Sequence, residues 1–404
     1  MNRPAMSLLA LLLVATVLPF TPADRAVAVP AGRVSGVACR DGQAGFFPCR
    51  GIDLAAFVPM SEFNGGRAND IWGWADPKTK REYALMGSTR GVLIIDVTVA
   101  TKPRFLGRIP KPENSLVWQD VEVYKNHAFI VCDLSPCGMQ VFDLTRLRKV
   151  KEEQTWTPDV VYPFTPTTHT IDINPATGFA YLNGSLTMAG GAPHIVDVSN
   201  PKVPVPAGFI LDDGYTHDSH CRIYLGPDKR YQKKEICFNA NEDTITIYDV
   251  TNKLAPEQLA RVTYKNATYT HQAWLTQGHT HIVVSDEIDE QDHGINSTTY
   301  IFDVGDLTKP KLVGTYVAKT KAIDHNNYVV GDRIFQANYT AGLRILDASN
   351  IAQARLREIA YFDVVPESDE PVYDGAWAAY PYLPSGNVIV SGMAQGLFVL
   401  TPRV

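Results

Sequence analysis

Six segments of the chain end an apolar run on aspartate: "GVLIIDVT" (Asp96), "MQVFDLT" (Asp143), "PHIVDVS" (Asp197), "ITIYDVT" (Asp249), "TYIFDVG" (Asp303) and "LRILDAS" (Asp347). Successive aspartates lie 47, 54, 52, 54 and 44 residues apart. A seventh copy, "GLFVLTP" (Gly396 to Pro402), lacks the aspartate. Two strand-like runs precede each closure, as "DVEVY" and "HAFIVCD" precede Asp143. Several closures are followed by a Lys-Pro step and a fourth short run, as in "KPRFLGRIP" and "KPKLVGTYV". Four short antiparallel strands per unit of this period is the pattern of propeller blades, each of which buries its faces only against its neighbours. The sequence therefore predicts an all-β fold, a seven-bladed β-propeller of four-stranded antiparallel blades. The last copy stops one strand short. "GIDLAAFVP" (Gly51 to Pro59) has the character to fill that gap, so an N-terminal strand completing the last blade would close the ring and cover an exposed edge. The propeller is expected to occupy residues 51–404.

The first 28 residues read as a signal peptide. Arg3 gives a positive start, "SLLALLLVATVL" an apolar centre and "AVA" (Ala26 to Ala28) a small-residue cleavage site. The apolar run from Ala5 to Phe20 is shorter than the roughly 20 residues that span a bilayer, and Pro19 and Pro22 break it. The mature chain is thus expected outside the cytoplasm, secreted to the extracellular or periplasmic space and not membrane-spanning. Six cysteines fall into close pairs, Cys39 with Cys49, Cys132 with Cys137 and Cys221 with Cys237. Nearest-neighbour disulfides suit an oxidising compartment, and the first would tie residues 29–50 into a leader. A net charge of -6 leaves no basic face for phosphates, which argues against nucleic acid as a partner.

The recurring aspartate is expected to do turn chemistry, since it ends a strand before Val/Leu-Thr/Ser, where a carboxylate can accept backbone N–H bonds. These closures resemble LVIVD repeats, which are propeller units. A longer set of motifs, among them "CRDGQAGFFPC", "DIWGWAD", "YTHDSHCRIYLGPDKRY", "YTHQAWL", "AIDHNNYVV" and "QANYTAGLRILD", resembles the choice-of-anchor B family of exported bacterial proteins. The resemblance covers nearly all of the mature chain. It implies a secreted or cell-surface propeller and brings no activity or ligand with it.

Aligned on the closing aspartates, His169, His217, His271 and His325 stand at the head of the first strand of four consecutive units, with His220 as a competing register for His217. Asn69 or Asp70, Gln119 and Asp374 take that place in the other units. First strands of a propeller line its central channel, so equivalent positions form a ring at one depth. Four imidazoles there could hold a transition metal, with iron, copper or zinc suited to such ligands. Without a metal, the same channel mouth could bind a polar ligand through Gln119, Asp218, Gln272, Asp324, Asn326 and Asp374. A second cluster, "SDEIDEQDH", offers Asp286, Glu287 and Asp289 as oxygen ligands for calcium, although its spacing is not that of an EF-hand loop. Aromatic residues near the ring (Trp72, Trp74, Trp118, Trp274, Tyr339 and Trp377) are expected mainly to pack between blades.

No GxSxG, HExxH, GxxxxGK[ST] or GxGxxG motif occurs. The leading expectation is a binding or interaction module with its ligand site at the histidine-lined channel mouth. Its partner would be an extracellular small molecule, a glycan or a protein surface. The alternatives are a metal-dependent enzyme, an oxidoreductase or hydrolase, and a purely structural extracellular protein.

Overall fold

The computed structural model describes residues 30–111, 118–134 and 136–404. Residues 1–28, the segment expected to be a signal peptide, lie outside the described residues. The chain is a seven-bladed propeller in which every blade is built on four antiparallel strands, taken in sequence order from the axis outwards in blades 1 to 6. The inner strands are Ala68–Ala75, Gln119–Tyr124, Thr170–Asn174, Asp218–Ile223, Thr270–Leu275, Asn326–Val330 and Ala376–Tyr380, in blades 1 to 7. In six blades the register between third and fourth strand shifts at a bulge, a feature that bends a strand and increases its local twist.

Ring closure follows the sequence expectation. Ile52–Pro59 pairs antiparallel with the C-terminal strand Gly396–Pro402 and supplies the fourth strand of blade 7. The leader extends two sheets: Val34–Val37 pairs with Ile52–Pro59, and Phe47–Arg50 with Arg355–Phe362 of blade 6. Phe47 thereby enters an aromatic knot with Phe57, Phe362 and Phe398, at centroid distances of 5.6, 5.5 and 5.3 Å. Between blades the cores are layers of Val, Ile, Leu and aromatic side chains from facing sheets. Gly107 in the fourth strand of blade 1 (φ +111°) allows the short strand Gln154–Thr155 to lie against it in parallel; a Cβ there would fall 1.8 Å from the Gln154 carbonyl oxygen.

The six closing aspartates act as turn residues. Each accepts the backbone N–H two residues on: Thr98, Thr145, Ser199, Thr251, Gly305 and Ser349, at 2.7–3.1 Å. The three disulfides join nearest neighbours. Cys221 and Cys237 face each other across the first two strands of blade 4, and Cys132–Cys137 closes the turn after the second strand of blade 2. No helix among the described residues is long and apolar enough to cross a membrane.

Candidate metal centre

Strand pairing sets the depth of each channel residue. His169, His217 and His325 immediately precede the inner strands of blades 3, 4 and 6, while His271 is the second residue of its strand, at a bulge. The four imidazoles form an unbroken arc, with successive ring centroids 4.4, 4.1 and 4.2 Å apart. His217, His271 and His325 are buried in the channel wall, and His169 is half-buried there. His220 lies elsewhere, packed on Trp274 at 4.0 Å, so His217 holds the ring register.

The second nitrogen of three of the four rings is hydrogen-bonded. His217 Nδ1 donates to the His271 carbonyl oxygen at 3.0 Å, and His325 Nδ1 to that of Trp377 at 2.6 Å. His271 Nδ1 faces the His325 carbonyl in the same way without closing a full hydrogen bond. His169 Nδ1 donates to Asp133 Oδ2 at 3.0 Å. A carbonyl or carboxylate only accepts, so these contacts place the proton on Nδ1 and turn a lone pair on Nε2 inward. Two such atoms, His169 Nε2 and His217 Nε2, stand 2.8 Å apart. Two lone pairs at that distance repel unless a proton or a cation lies between them.

Glu287 completes the set. It directly follows the second strand of blade 5 (His281–Asp286), and its carboxylate lies 3.3 Å from His325 Nε2 and 3.8 Å from His271 Nε2. Tyr339 donates to it at 2.7 Å. Among the described residues, the only His, Cys, Asp or Glu group of three or more whose ligand atoms lie mutually within 4.8 Å is His217, His271 and Glu287.

The electrostatics keep three of the four imidazoles neutral, with Nε2 available. Burial, then the neighbouring imidazoles, pushes the pKa of His217 and His271 well below the ordinary value, and burial takes His325 down to about 3. At His169 burial also opposes the charge, but the Asp133 hydrogen bond and charge prevail and raise the pKa. Burial raises Glu287 to about 7 despite the Tyr339 hydrogen bond.

Above this arc lies a cavity of about 290 Å³, walled by Trp118, Tyr215, Tyr269, Tyr339, Tyr373 and Trp377. Below it the channel narrows to an acidic bore with Asp70, Asp120, Glu122, Asp172 and Asp218. Several bore residues tether one blade to the next by accepting a backbone N–H: Asp70 from Val121, Asp120 from Ile171 and Gln272 from Asn327, at 2.6–3.1 Å. Burial, then Asp120 and Asp172, raises Asp218 to about 8.

Gln119, Asp218, Gln272 and Asn326 line the channel as the alignment requires. Asp374 does not. Its carboxylate accepts from Gly375 and Ala394 N–H beside Arg67, and Trp377, second in its strand like His271, takes the ring position. Asp324 is in the wall, accepting the Asp286 N–H at 3.2 Å, and lines neither chamber.

The calcium ligand set also comes apart. Asp286 accepts the N–H groups of Thr268 and Tyr269 and the Tyr264 hydroxyl, all at 2.8 Å. Asp289 accepts from Tyr300, and Glu287 turns to the histidines. A loop carboxylate that satisfies its own backbone has little left for a cation. Trp118, Tyr339 and Trp377 line the upper cavity, Trp72 and Trp274 the bore, while Trp74 stacks on Tyr83 in the core.

Glu290, beside this cluster, gives a pH test. Burial first, then the charge of Asp289, holds its pKa above the ordinary 4.5. Across the window from that value upward, the native state keeps a proton that the unfolded chain has lost, so stability falls as pH rises. Glu290→Gln removes this linkage. Its melting temperature should decline less steeply than the parent's from about pH 6 to about pH 9, and parallel declines would contradict the assignment.

Asp133, Tyr215, Tyr269 and Tyr373 were not singled out from the sequence. Asp133 and Glu287 occupy equivalent places, each just past the end of a second strand, so aligning second strands as well as first would have found the pair. No protein-family model matches the chain, and no curated protein matches its sequence.

Solved structures do match. A functionally unknown protein from Desulfotomaculum acetoxidans DSM 771 has a TM-score of 0.50 at 14% identity, covering 75% of this chain and 87% of that one. A protein from Lactobacillus plantarum gives 0.51 at 13% identity, covering 80% and 88%. The Cps50 (Swd1) β-propeller domain of Myceliophteria thermophila gives 0.50 at 12%, covering 80% and 94%. The likeness is one of fold.

Proposed function

We propose that the protein is an exported metal-binding propeller. In this reading His169, His217, His271 and His325 hold one transition-metal ion at the head of the channel beside Glu287, and the ion presents its free positions to the aromatic cavity, where a small extracellular molecule binds. One observation carries the reading: hydrogen bonds on the outer nitrogens leave Nε2 lone pairs converging, with two of them 2.8 Å apart. Imidazole nitrogens suit iron, copper or zinc, and a backbone or carboxylate partner on the other ring nitrogen is the usual support of a ligating histidine. A purely structural role would instead require a proton held between His169 and His217. Export is supported by the signal-like N-terminus and three disulfides.

An oxidoreductase or hydrolase is the second reading, favoured by Glu287. Buried against two imidazoles and bonded to Tyr339, with its pKa raised to about 7, it is placed to exchange a proton with a metal-bound ligand.

Elemental analysis of untagged mature protein purified without chelators should find near-stoichiometric iron, copper or zinc, and metal-free protein that stays so after exposure to all three would overturn the reading. Asp133→Asn removes the charge that orients His169 and should weaken metal binding by about 10–100-fold in competition with a chromophoric chelator. Unchanged affinity would mean that His169 is not a ligand.

A further inference from the structure

The upper cavity differs from the bore in a way that bears on what the metal would meet. Its walls are flat rings: Trp118 lies on Trp377 at 4.8 Å with planes 39° apart, and Tyr339 meets Tyr373 and Trp377 edge-on at 5.5 and 6.0 Å. Met393 adds a further apolar contact surface. No lysine or arginine lines it among the described residues. The polar groups that do reach it are largely engaged, Asp133 with His169, Glu287 with Tyr339, and Tyr269 with Tyr215 and Glu242.

A sugar stacks on aromatic rings but also needs hydrogen-bond partners for most of its hydroxyls, and these walls offer few that are free. A free carboxylate or phosphate would find no cationic side chain, and held by the metal alone would leave the aromatic walls without a partner. A flat ring bearing adjacent oxygen donors fits both features, because its faces meet aromatic surface and its anionic oxygens have one electrophile to go to, the metal. We propose that the ligand class of this site is a small planar aromatic compound that coordinates the metal through phenolate oxygens, a catechol-type ligand, with Trp118 and Trp377 as its stacking walls. This rests on the metal reading above.

The probe is 4-nitrocatechol, whose absorption shifts on ionisation and coordination, added to full-length mature protein loaded with zinc and freed of excess ion. Expected are saturable binding with a spectral shift, zinc retained after gel filtration, and at least tenfold weaker binding in Trp118→Ala at unchanged zinc content. Tyr373→Phe, a smaller change in the same cavity, keeps the test usable if Trp118→Ala fails to fold; it should weaken binding severalfold. Zinc-loaded protein that ignores 4-nitrocatechol, binds glucose as well as it binds the catechol, or binds the catechol equally in both variants would overturn the ligand assignment while leaving the metal reading standing. Protein that takes up no zinc, iron or copper would overturn both.

Discussion

Adding one transition-metal ion to chelator-treated protein should raise its melting temperature by about 5 °C when free metal is about a thousandfold above its dissociation constant, because such binding stabilises the native state by about 4 kcal/mol. The protein supplies a second reason for a large effect. Without a cation, the short contact between His169 Nε2 and His217 Nε2 is relieved only by a proton, and the neutral forms favoured at His217 and His271 leave that proton to His169 alone. The paired substitution His217→Ala with His271→Ala removes two ligands from the middle of the arc. Its melting temperature should move by less than about 2 °C on adding the same metal, since an ion that cannot distinguish native from unfolded chain shifts nothing. An equal rise in both proteins would place the bound ion elsewhere.

The second large effect concerns closure of the ring. Phe57 is fully buried on the N-terminal strand that completes blade 7, 4.9 Å from Phe398 and 5.6 Å from Phe47. Phe57→Ala deletes a ring where three segments distant in sequence meet, and should cost about 3–5 kcal/mol. Phe46, 45% exposed and next in sequence to Phe47, is the control, and its alanine variant should stay within about 0.5 kcal/mol of the parent in denaturant melts. If Phe57→Ala unfolds with the parent's midpoint, the N-terminal strand is not what holds the ring shut.

The architecture was legible because a repeat states it many times. Asp96 and its five counterparts mark the same turn in successive blades, and once blades are counted the missing last strand points to Gly51–Pro59. Gly107 and the bulged fourth strands were less visible, being consequences of how neighbouring sheets approach. The site was legible where it used the same register as the repeat: four histidines at the heads of inner strands did meet. It was misread where the register slips. Asp374 was chosen for its polarity, but the turn before Ala376–Tyr380 carries it away from the axis and puts Trp377 there. The calcium reading of Asp286, Glu287 and Asp289 failed for a different reason. Charge density in a sequence does not show which carboxylates the surrounding backbone will claim, and Asp286 is claimed by Thr268 and Tyr269. Asp133 lies just past a second strand, a place that the closing aspartates do not align, and Tyr215, Tyr269 and Tyr373 lie in the loops that lead into inner strands, where a search for polar ring positions passes over them.

The most direct test is anomalous diffraction from crystals of metal-loaded mature protein, recorded on both sides of the metal's absorption edge. A single strong peak about 2.0–2.2 Å from the Nε2 atoms of His217 and His271, with His169, His325 or Glu287 completing its ligands, is the expected result. A peak only among surface carboxylates, or none at full occupancy of added metal, would contradict the assignment of the histidine arc as a metal centre.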